Sequence, residues 1–320
     1  MIGGEICGMG NSGVGKSGLL VVEACEYKRS FLNLEPEVAI ITSIEEDHLD
    51  YYRDIQDIRD SFENFADRVI PTGILIGMVD NPLVSFIINN SGARSIGYGI
   101  KAGTIQAKNI KPCEHGNVFD CFYNDKLLGR INSSLWGLHN VLNVLAAVSV
   151  GIYFDISFSM IANALKEFPG VCRRSQMISN VKDIIIMDDY GHHPTEIIAT
   201  LNGLRQRFPS RKIIVVFQPH QYSRTRFLLD DFAASFNVCS EVIIPDIYFV
   251  RDLEDEKKLI NSQILVDKIQ NNGIKARYIS DFDEIVKYLV NEITPGDVVL
   301  TIGAGPIYQV GLKLKEILEK

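Results

Sequence analysis

Apolar residues along this chain fall in short continuous runs, and many of the runs end in a polar cluster. Unbroken apolar runs of about four to eight residues rich in Val and Ile read as strands buried on both faces. In the first half LLVVEAC (19–25), VAIITSI (38–44) and GILIGMV (73–79) fit that description, with a helical stretch DIRDSFENFADRVI (57–70) before the last of them. From about 94 to 131 the pattern turns to short strands with turns, as in NVFDCFYNDKLLGRI around Asn124-Asp125, which reads as antiparallel hairpin structure. Two helices close this half, around LHNVLNVLAAVSVGI (138–152) and SFSMIANALKEF (157–168). Pro169-Gly170 then breaks the chain, which places the domain boundary there and gives domains 1–169 and 170–320.

The second half alternates more regularly. DIIIMDD (183–189) precedes a helix beginning near Pro194, and KIIVVF (212–217) precedes the helix RFLLDDFAASF. EVIIPD (241–246), ARYIS (276–280) and DVVLTIG (297–303) follow, and the last leads into a helix ending in KLKEILEK. Repeated strand–helix units with uniformly apolar strands predict an α/β domain with a parallel sheet covered on both faces. DDYGHHP, QPHQYSRTR, PDIY and GAGP each begin where one of these strands ends. Ligands of open parallel sheets bind at the carboxyl ends of the strands, so these four clusters are the predicted site.

Composition narrows the class without changing it. The 320 residues are 46% hydrophobic and 22% charged, ordinary for a globular protein of about two domains. No run reaches the roughly 18 apolar residues of a membrane span, and MIGGEICGMG lacks the basic start and apolar core of a signal peptide. Six cysteines without C-x-x-C pairs point to reduced thiols in a cytosolic protein and away from a zinc site. A formal charge of −8 disfavours a broad nucleic-acid surface.

Four stretches carry candidate chemistry. GNSGVGKS (10–17) matches the phosphate-loop pattern at Gly10, Gly15, Lys16 and Ser17. A working loop follows a strand and opens a helix, so that backbone amides meet the phosphates. Here the preceding residues are short and glycine-broken, and SGLLVVEAC after it reads as a strand, so GNSGVGKS is expected to be a loop leading into the strand that carries Glu23. In IEEDHLDYY (44–52), Asp47, His48 and Asp50 offer a nitrogen and oxygens that, with Glu23, suit Mg²⁺ or Mn²⁺; helix capping by Asp47 is the competing role. His139, Asn140 and Asn143 fall in the first turns of one helix, where an asparagine either hydrogen-bonds a purine edge or caps the helix. GVCRRSQ (170–176) sets two arginines at the junction, suited to a phosphoryl group or to an ordinary ion pair.

Taken together, VVEACEYKRSFL (21–32), EEDHLDYY (45–52), GLHNVLNVLAA (137–147), GVCRR (170–174), DDYGHHPTEI (188–197), VVFQPHQYSRT (215–225), DIY (246–248) and GDVVLTIGAG (296–305) resemble, in order, the Mur ligase family, and within it the alanine-adding branch. The resemblance implies a central ATP-binding domain followed by a Rossmann-like carboxy-terminal domain. It implies ATP-dependent amide bond formation in peptidoglycan precursor synthesis, in which the muramoyl carboxylate of UDP-N-acetylmuramate becomes an acyl phosphate that L-alanine attacks. It further implies Glu23 and His48 as metal ligands, His139 and Asn140 as nucleotide contacts, and Arg174 reaching the phosphoryl group. Asp189 and Tyr190 would contact ATP, and His192, His193, His220 and Arg224 would hold the amino-acid carboxylate and the muramoyl end.

Departures from the family pattern are Gln221 where Arg is usual, Ser175 for an aromatic, Pro306 for Asp and Ser43 for Asn. IGGEI (2–6) resembles the segment that follows the family's own phosphate loop, so the chain reads as lacking the UDP-sugar domain, that loop and its flanking strand and helix. Three expectations follow: an alanine-adding ligase, part of a split protein completed by a separate chain or a fragment of a longer one, and weak alone; a non-catalytic remnant that binds nucleotide or a partner; or an NTPase that uses GNSGVGKS directly. An exposed sheet edge would also favour self-association.

Overall fold

The computed structural model describes residues 3–49, 51–113 and 116–320. The chain divides into two compact units, residues 1–170 and 171–320.

The first unit is built on a six-stranded sheet with its strands in sequence order: β1 (Val38–Ile41), β2 (Ile74–Met78), β3 (Ser95–Gly99), β4 (Ile105–Cys113), β5 (Gly116–Tyr123) and β6 (Lys126–Ser133). β1 to β4 pair parallel, and β4, β5 and β6 pair antiparallel. Alternation along β2 sets the two faces. Leu75 packs with Ala39 and Ile41 under α1 (Ile55–Ala66) and α2 (Pro82–Asn90), while Ile74 and Ile76 pack under α3 (Leu138–Tyr153) and α4 (Phe158–Glu167). Asp54 and Asn81 cap α1 and α2 through their side-chain oxygens, satisfying amides that have no partner inside the helix.

The second unit carries β7 (Gln176–Val181), β8 (Ile184–Asp189), β9 (Ile213–Phe217), β10 (Glu241–Ile244), β11 (Ala276–Tyr278) and β12 (Val298–Ile302), in the order β11-β10-β9-β12-β8-β7. All neighbours pair parallel except β7, which runs antiparallel to β8 at one edge. α5 (Pro194–Arg207), α7 (Leu229–Ala234) and α8 (Ser262–Asn271) cover the face of Ile185, Val215 and Leu300. α9 (Phe282–Glu292) and α10 (Tyr308–Leu318) cover the face of Ile186, Val216 and Val299. A six-residue helix α6 (Tyr222–Phe227) follows β9 and sits directly before α7.

Several sequence expectations are corrected. LLVVEAC forms no strand: residues 19–25 have no regular structure, and Leu20 and Val21 are 83% and 73% exposed. An apolar run becomes a strand only where a neighbour takes its backbone groups, and β1 ends the sheet without one among the described residues. RFLLDDFAASF is two helices broken at Leu228, whose φ and ψ lie outside the helical range. The segment from 94 opens with β3, which is parallel to β2 rather than part of a hairpin.

Candidate functional site

In the second unit the four polar clusters sit where expected: DDYGHHP begins with the last two residues of β8, and the other three begin just after β9, β10 and β12. Backbone bonds tie them together. Gly303 N–H donates to Asp189 O at 3.0 Å, Gln218 N–H to Ile302 O at 3.0 Å, and Tyr248 N–H to Pro219 O at 2.8 Å. His220 pairs with Tyr248 in an isolated parallel bridge, and their rings stack at 5.5 Å. Gly303 has φ +146 and a Cβ there would lie 2.7 Å from Gln218 O, so only glycine lets this loop close on β9.

The two junction arginines divide their work. Arg173 Nε donates to Asp188 Oδ2 at 2.9 Å, and its Nη2 donates to Gly303 O at 2.6 Å and Gly305 O at 3.2 Å. Its guanidinium also lies over the Tyr190 and Tyr308 rings, so Arg173 is a fastener between the end of β8 and the loop after β12. Arg174 is half exposed; it also lies over the Tyr190 ring, at 5.4 Å, and donates to Glu196 Oε1 at 3.4 Å. It is therefore the arginine that can meet a ligand.

Asp189 is buried and already served: Oδ1 accepts from Gly191 N–H at 2.7 Å, and Oδ2 accepts from Ser175 N–H at 2.7 Å and Ser175 Oγ at 3.2 Å. Burial pushes its carboxyl upward against those donors and the nearby Arg174 charge. Asp189 thus shapes the loop, and Ser175, a departure from the family pattern, is one of the residues it holds. Tyr190 presents its ring at 37% exposure.

His192 Nδ1 lies 3.2 Å from Tyr190 O and 3.5 Å from Glu196 Oε2. Both neighbours are acceptors, so Nδ1 carries the hydrogen. His193 caps α5: its Nδ1 accepts from Thr195 N–H at 3.4 Å, and Glu196 Oε2 accepts from its backbone N–H at 3.2 Å, closing a capping box. Arg224 is buried with its Nη1 3.3 Å from His220 Nδ1. Gln221 takes φ +72 with its N–H on Tyr248 O, and its side chain is buried.

In the first unit, Gly137 precedes α3 at the N-cap position with φ +86. Asn140 Nδ2 donates back to Trp136 O at 2.7 Å and lies 3.1 Å from His139 Nε2, and Asn143 donates to Asn140 Oδ1 at 3.3 Å. No side chain caps α3, so Asn140 does not fill the capping role open in the sequence; its amide instead ties the first turn back to Trp136 O, with His139 beside it.

His48 has φ +53, and its Nε2 lies 3.1 Å from Glu26 Oε1 and 3.8 Å from Asp47 Oδ2. The hydrogen bond to His48 holds the Glu26 carboxyl below its ordinary range, although burial opposes it. Glu23, on exposed chain, accepts instead from Gly3 N–H at 2.6 Å. Asp50 lies outside the described residues. One imidazole among carboxylates suits Mg²⁺ or Mn²⁺ in kind, but among the described residues no group of three or more His, Cys, Asp or Glu side chains is placed to hold a metal ion.

GNSGVGKS is an exposed loop. A tight turn closed by Ile6 and Gly10 leads into it, Ser17 Oγ accepts from Leu19 N–H at 3.3 Å, and the next regular segment is the 3-10 stretch Tyr27–Asn33. No helix opens at Lys16, so the amides are not gathered toward one point.

The sequence did not single out Glu26, Arg173, Asp188 or Glu196. Glu26 and Glu196 were legible as the second acid of EACE and the acid at the third helical position after His193. Arg173 and Asp188 were not, because either member of RR or DD fits the same pattern until the strand register assigns one inward.

Residues 14–151 match the Mur ligase middle domain and residues 173–305 the Mur ligase glutamate ligase domain. The chain is 43% identical over 97% of its length to UDP-N-acetylmuramate–L-alanine ligase of Clostridium kluyveri, spanning 68% of that protein. It superposes on UDP-N-acetylmuramate-alanine ligase MurC of Thermotoga maritima with a TM-score of 0.80 at 25% identity, covering 99% of this chain and 68% of that one. The MurF ligase of Thermotoga maritima in complex with ADP shares the fold, with a TM-score of 0.74 at 20% identity over 93% of this chain and 66% of that one. Two domain matches in the family's order, with a close relative aligned along nearly the whole chain, establish that this chain belongs to the Mur ligase family.

Proposed function

We propose that the chain forms the nucleotide- and amino-acid-handling part of an ATP-dependent ligase that joins L-alanine to UDP-N-acetylmuramate. The observation that carries this reading is the gathering of Arg174, Tyr190, His192, His220 and Arg224 at the carboxyl edge of one parallel sheet, in a chain 43% identical to an alanine-adding relative.

Anionic groups are what such an edge receives. Arg174 and His192 are placed for the phosphoryl oxygens of ATP or the acyl phosphate, and Tyr190 offers an exposed ring beside them. Arg224, whose Nη1 donates to His220 Nδ1, is the second guanidinium at this edge, suited to the carboxylate of alanine or the muramoyl group. His193 supports from behind as the cap of α5, and Asp189 by fixing the loop that carries Tyr190. His139 and Asn140 are the candidate nucleotide contacts within the first unit. The muramoyl carboxylate attacks the γ-phosphorus, ADP leaves, and the alanine amine then displaces phosphate from the acyl carbon after losing a proton. Fixed cations favour the charge that builds on oxygen in both steps.

Glu23 and His48 are the residues that would hold Mg²⁺ or Mn²⁺ beside the phosphates. Such an ion, when bound, offsets phosphate charge. Glu23 is engaged by the Gly3 amide and His48 by Glu26, so binding requires both contacts to be exchanged, and no step here depends on it.

The test is alanine-dependent ADP release with UDP-N-acetylmuramate, by the chain alone and with the amino-terminal third of an alanine-adding relative supplied in trans. Turnover in either arm supports the proposal. Failure in both, with ADP still bound, replaces it by a nucleotide-binding module without ligase activity.

A further inference from the structure

Glu196 contacts both Arg174 and His192, and the chemistry above gives it no role. Its Oε1 accepts from Arg174 Nη1 at 3.4 Å. Its Oε2 accepts from the backbone N–H of His192 at 2.9 Å and of His193 at 3.2 Å, and lies 3.5 Å from His192 Nδ1. One carboxylate at the start of α5 thus spans two loops that meet only at the sheet edge, the junction loop after residue 170 and the loop after β8.

We infer that Glu196 is a positioning residue that holds Arg174 and His192 as a single unit facing an anionic ligand. The inference rests on the reading of this edge as a phosphate- and carboxylate-handling site. Two separate features support it beyond helix capping. A cap needs one oxygen, and here Oε2 alone serves both amides while Oε1 is left to the guanidinium. Arg174 is also confined on its other side by the Tyr190 ring, at 5.4 Å, so the carboxylate and the ring together remove rotamer freedom from a long side chain. An arginine ordered before the ligand arrives loses less entropy on binding it.

The same carboxylate orients the imidazole. His192 Nδ1 is kept on Tyr190 O and Glu196 Oε2, which turns Nε2 away from α5. Among the charged or titratable groups near the ring are Glu196 on α5, Tyr190, and His220 on the loop after β9, whose ring centre is 5.8 Å away, with Arg174 on the same carboxylate. Glu196 is the acid among them. Burial pushes its carboxyl up, but the His192 and Arg174 charges and the two amides outweigh burial and hold it below the ordinary range, so it is ionised wherever the cations need it.

Glu196→Gln is the discriminating change, since its amide oxygen still accepts from the His192 and His193 amides while its NH₂ turns a donor toward Arg174. ADP affinity is measured by calorimetry for the chain, Glu196→Gln, Arg174→Ala and the double variant, with the His192 titration followed by NMR. The expected result is about a fivefold weaker ADP affinity for Glu196→Gln, no further loss when it is added to Arg174→Ala, and a His192 pKa lowered by about one unit. Equal loss in both backgrounds with an unmoved His192 titration would show a cap and nothing more, and would overturn the inference. If the unaltered chain binds no ADP, the nucleotide reading fails by itself, and the His192 titration alone then decides the role of Glu196. Unchanged far-ultraviolet circular dichroism in Glu196→Gln excludes misfolding as the cause.

Discussion

Arg173 and Asp188 form a hydrogen-bonded ion pair at 2.9 Å beneath the loop after β12, while the adjacent Arg174 and Asp189 are turned to other partners. Asp188 is almost fully buried, its other oxygen accepts from Thr301 Oγ1 at 2.6 Å, and burial raises its carboxyl despite both partners. Removing Arg173 strands that carboxylate. Arg173→Ala is expected to cost about 3 kcal/mol in urea unfolding of the second unit, as breaking a buried pair does. Arg174→Ala should leave unfolding within about 0.5 kcal/mol and weaken ADP binding instead. Equal effects of the two changes on stability would refute this division.

Glu241 is buried at the start of β10, accepting from Lys275 Nζ at 2.9 Å, Arg277 Nε at 2.7 Å and the Tyr288 hydroxyl at 2.7 Å. Burial pushes its carboxyl up, yet the three donors and the Arg277 charge prevail and hold it below its ordinary value. A depressed acid binds fewer protons folded than unfolded, so its stabilisation is full above the unfolded pKa and is lost as pH falls through the folded one. Glu241→Gln should therefore cost about 2 kcal/mol at pH 7 and markedly less near pH 3, read from urea midpoints at both.

Gly305 closes the loop after β12 against β9. A Cβ there would lie 2.5 Å from Gln218 Oε1 and 3.2 Å from Tyr248 Cγ. Gly305→Ala is expected to displace Tyr248 and with it the His220 stack, at a stability cost of about 1–3 kcal/mol. Altered NMR shifts of the His220 ring, absent in an alanine change at exposed Gly273, would show it.

Lys16 belongs to an exposed loop with no helix behind it. Lys16→Ala should change ADP affinity less than twofold in calorimetry. A loss of tenfold or more would restore GNSGVGKS as a nucleotide site.

Leu19, Leu20, Val21 and Val22 are all exposed, next in sequence to the residues that lead into edge strand β1. A contiguous exposed apolar segment favours association. Light scattering should show self-association that falls on replacing Leu20 and Val21 with Asp, with unfolding midpoints unchanged.

The sequence by itself determined which segments are strands wherever burial on two faces demands unbroken apolar residues: VAII, ILIGM, IIIM, IIVVF and VVLTI all appear in the sheets. It also determined that the polar clusters follow those strands, since a chain leaving a buried strand reaches solvent at once. Tertiary structure decided the rest, because pairing and register are relations between distant segments. LLVVEAC has strand composition but no described neighbour, and stays without regular structure. QMISNV lacks an apolar run, yet pairs as an edge strand because β8 presents free backbone to it. Register turns Asp188 inward to Arg173 and leaves Asp189 to the loop, and the helix start at Pro194 brings Glu196 to Arg174 from 22 residues away. Local composition carries no record of such meetings; only the folded chain, which sets which charge faces which, makes them.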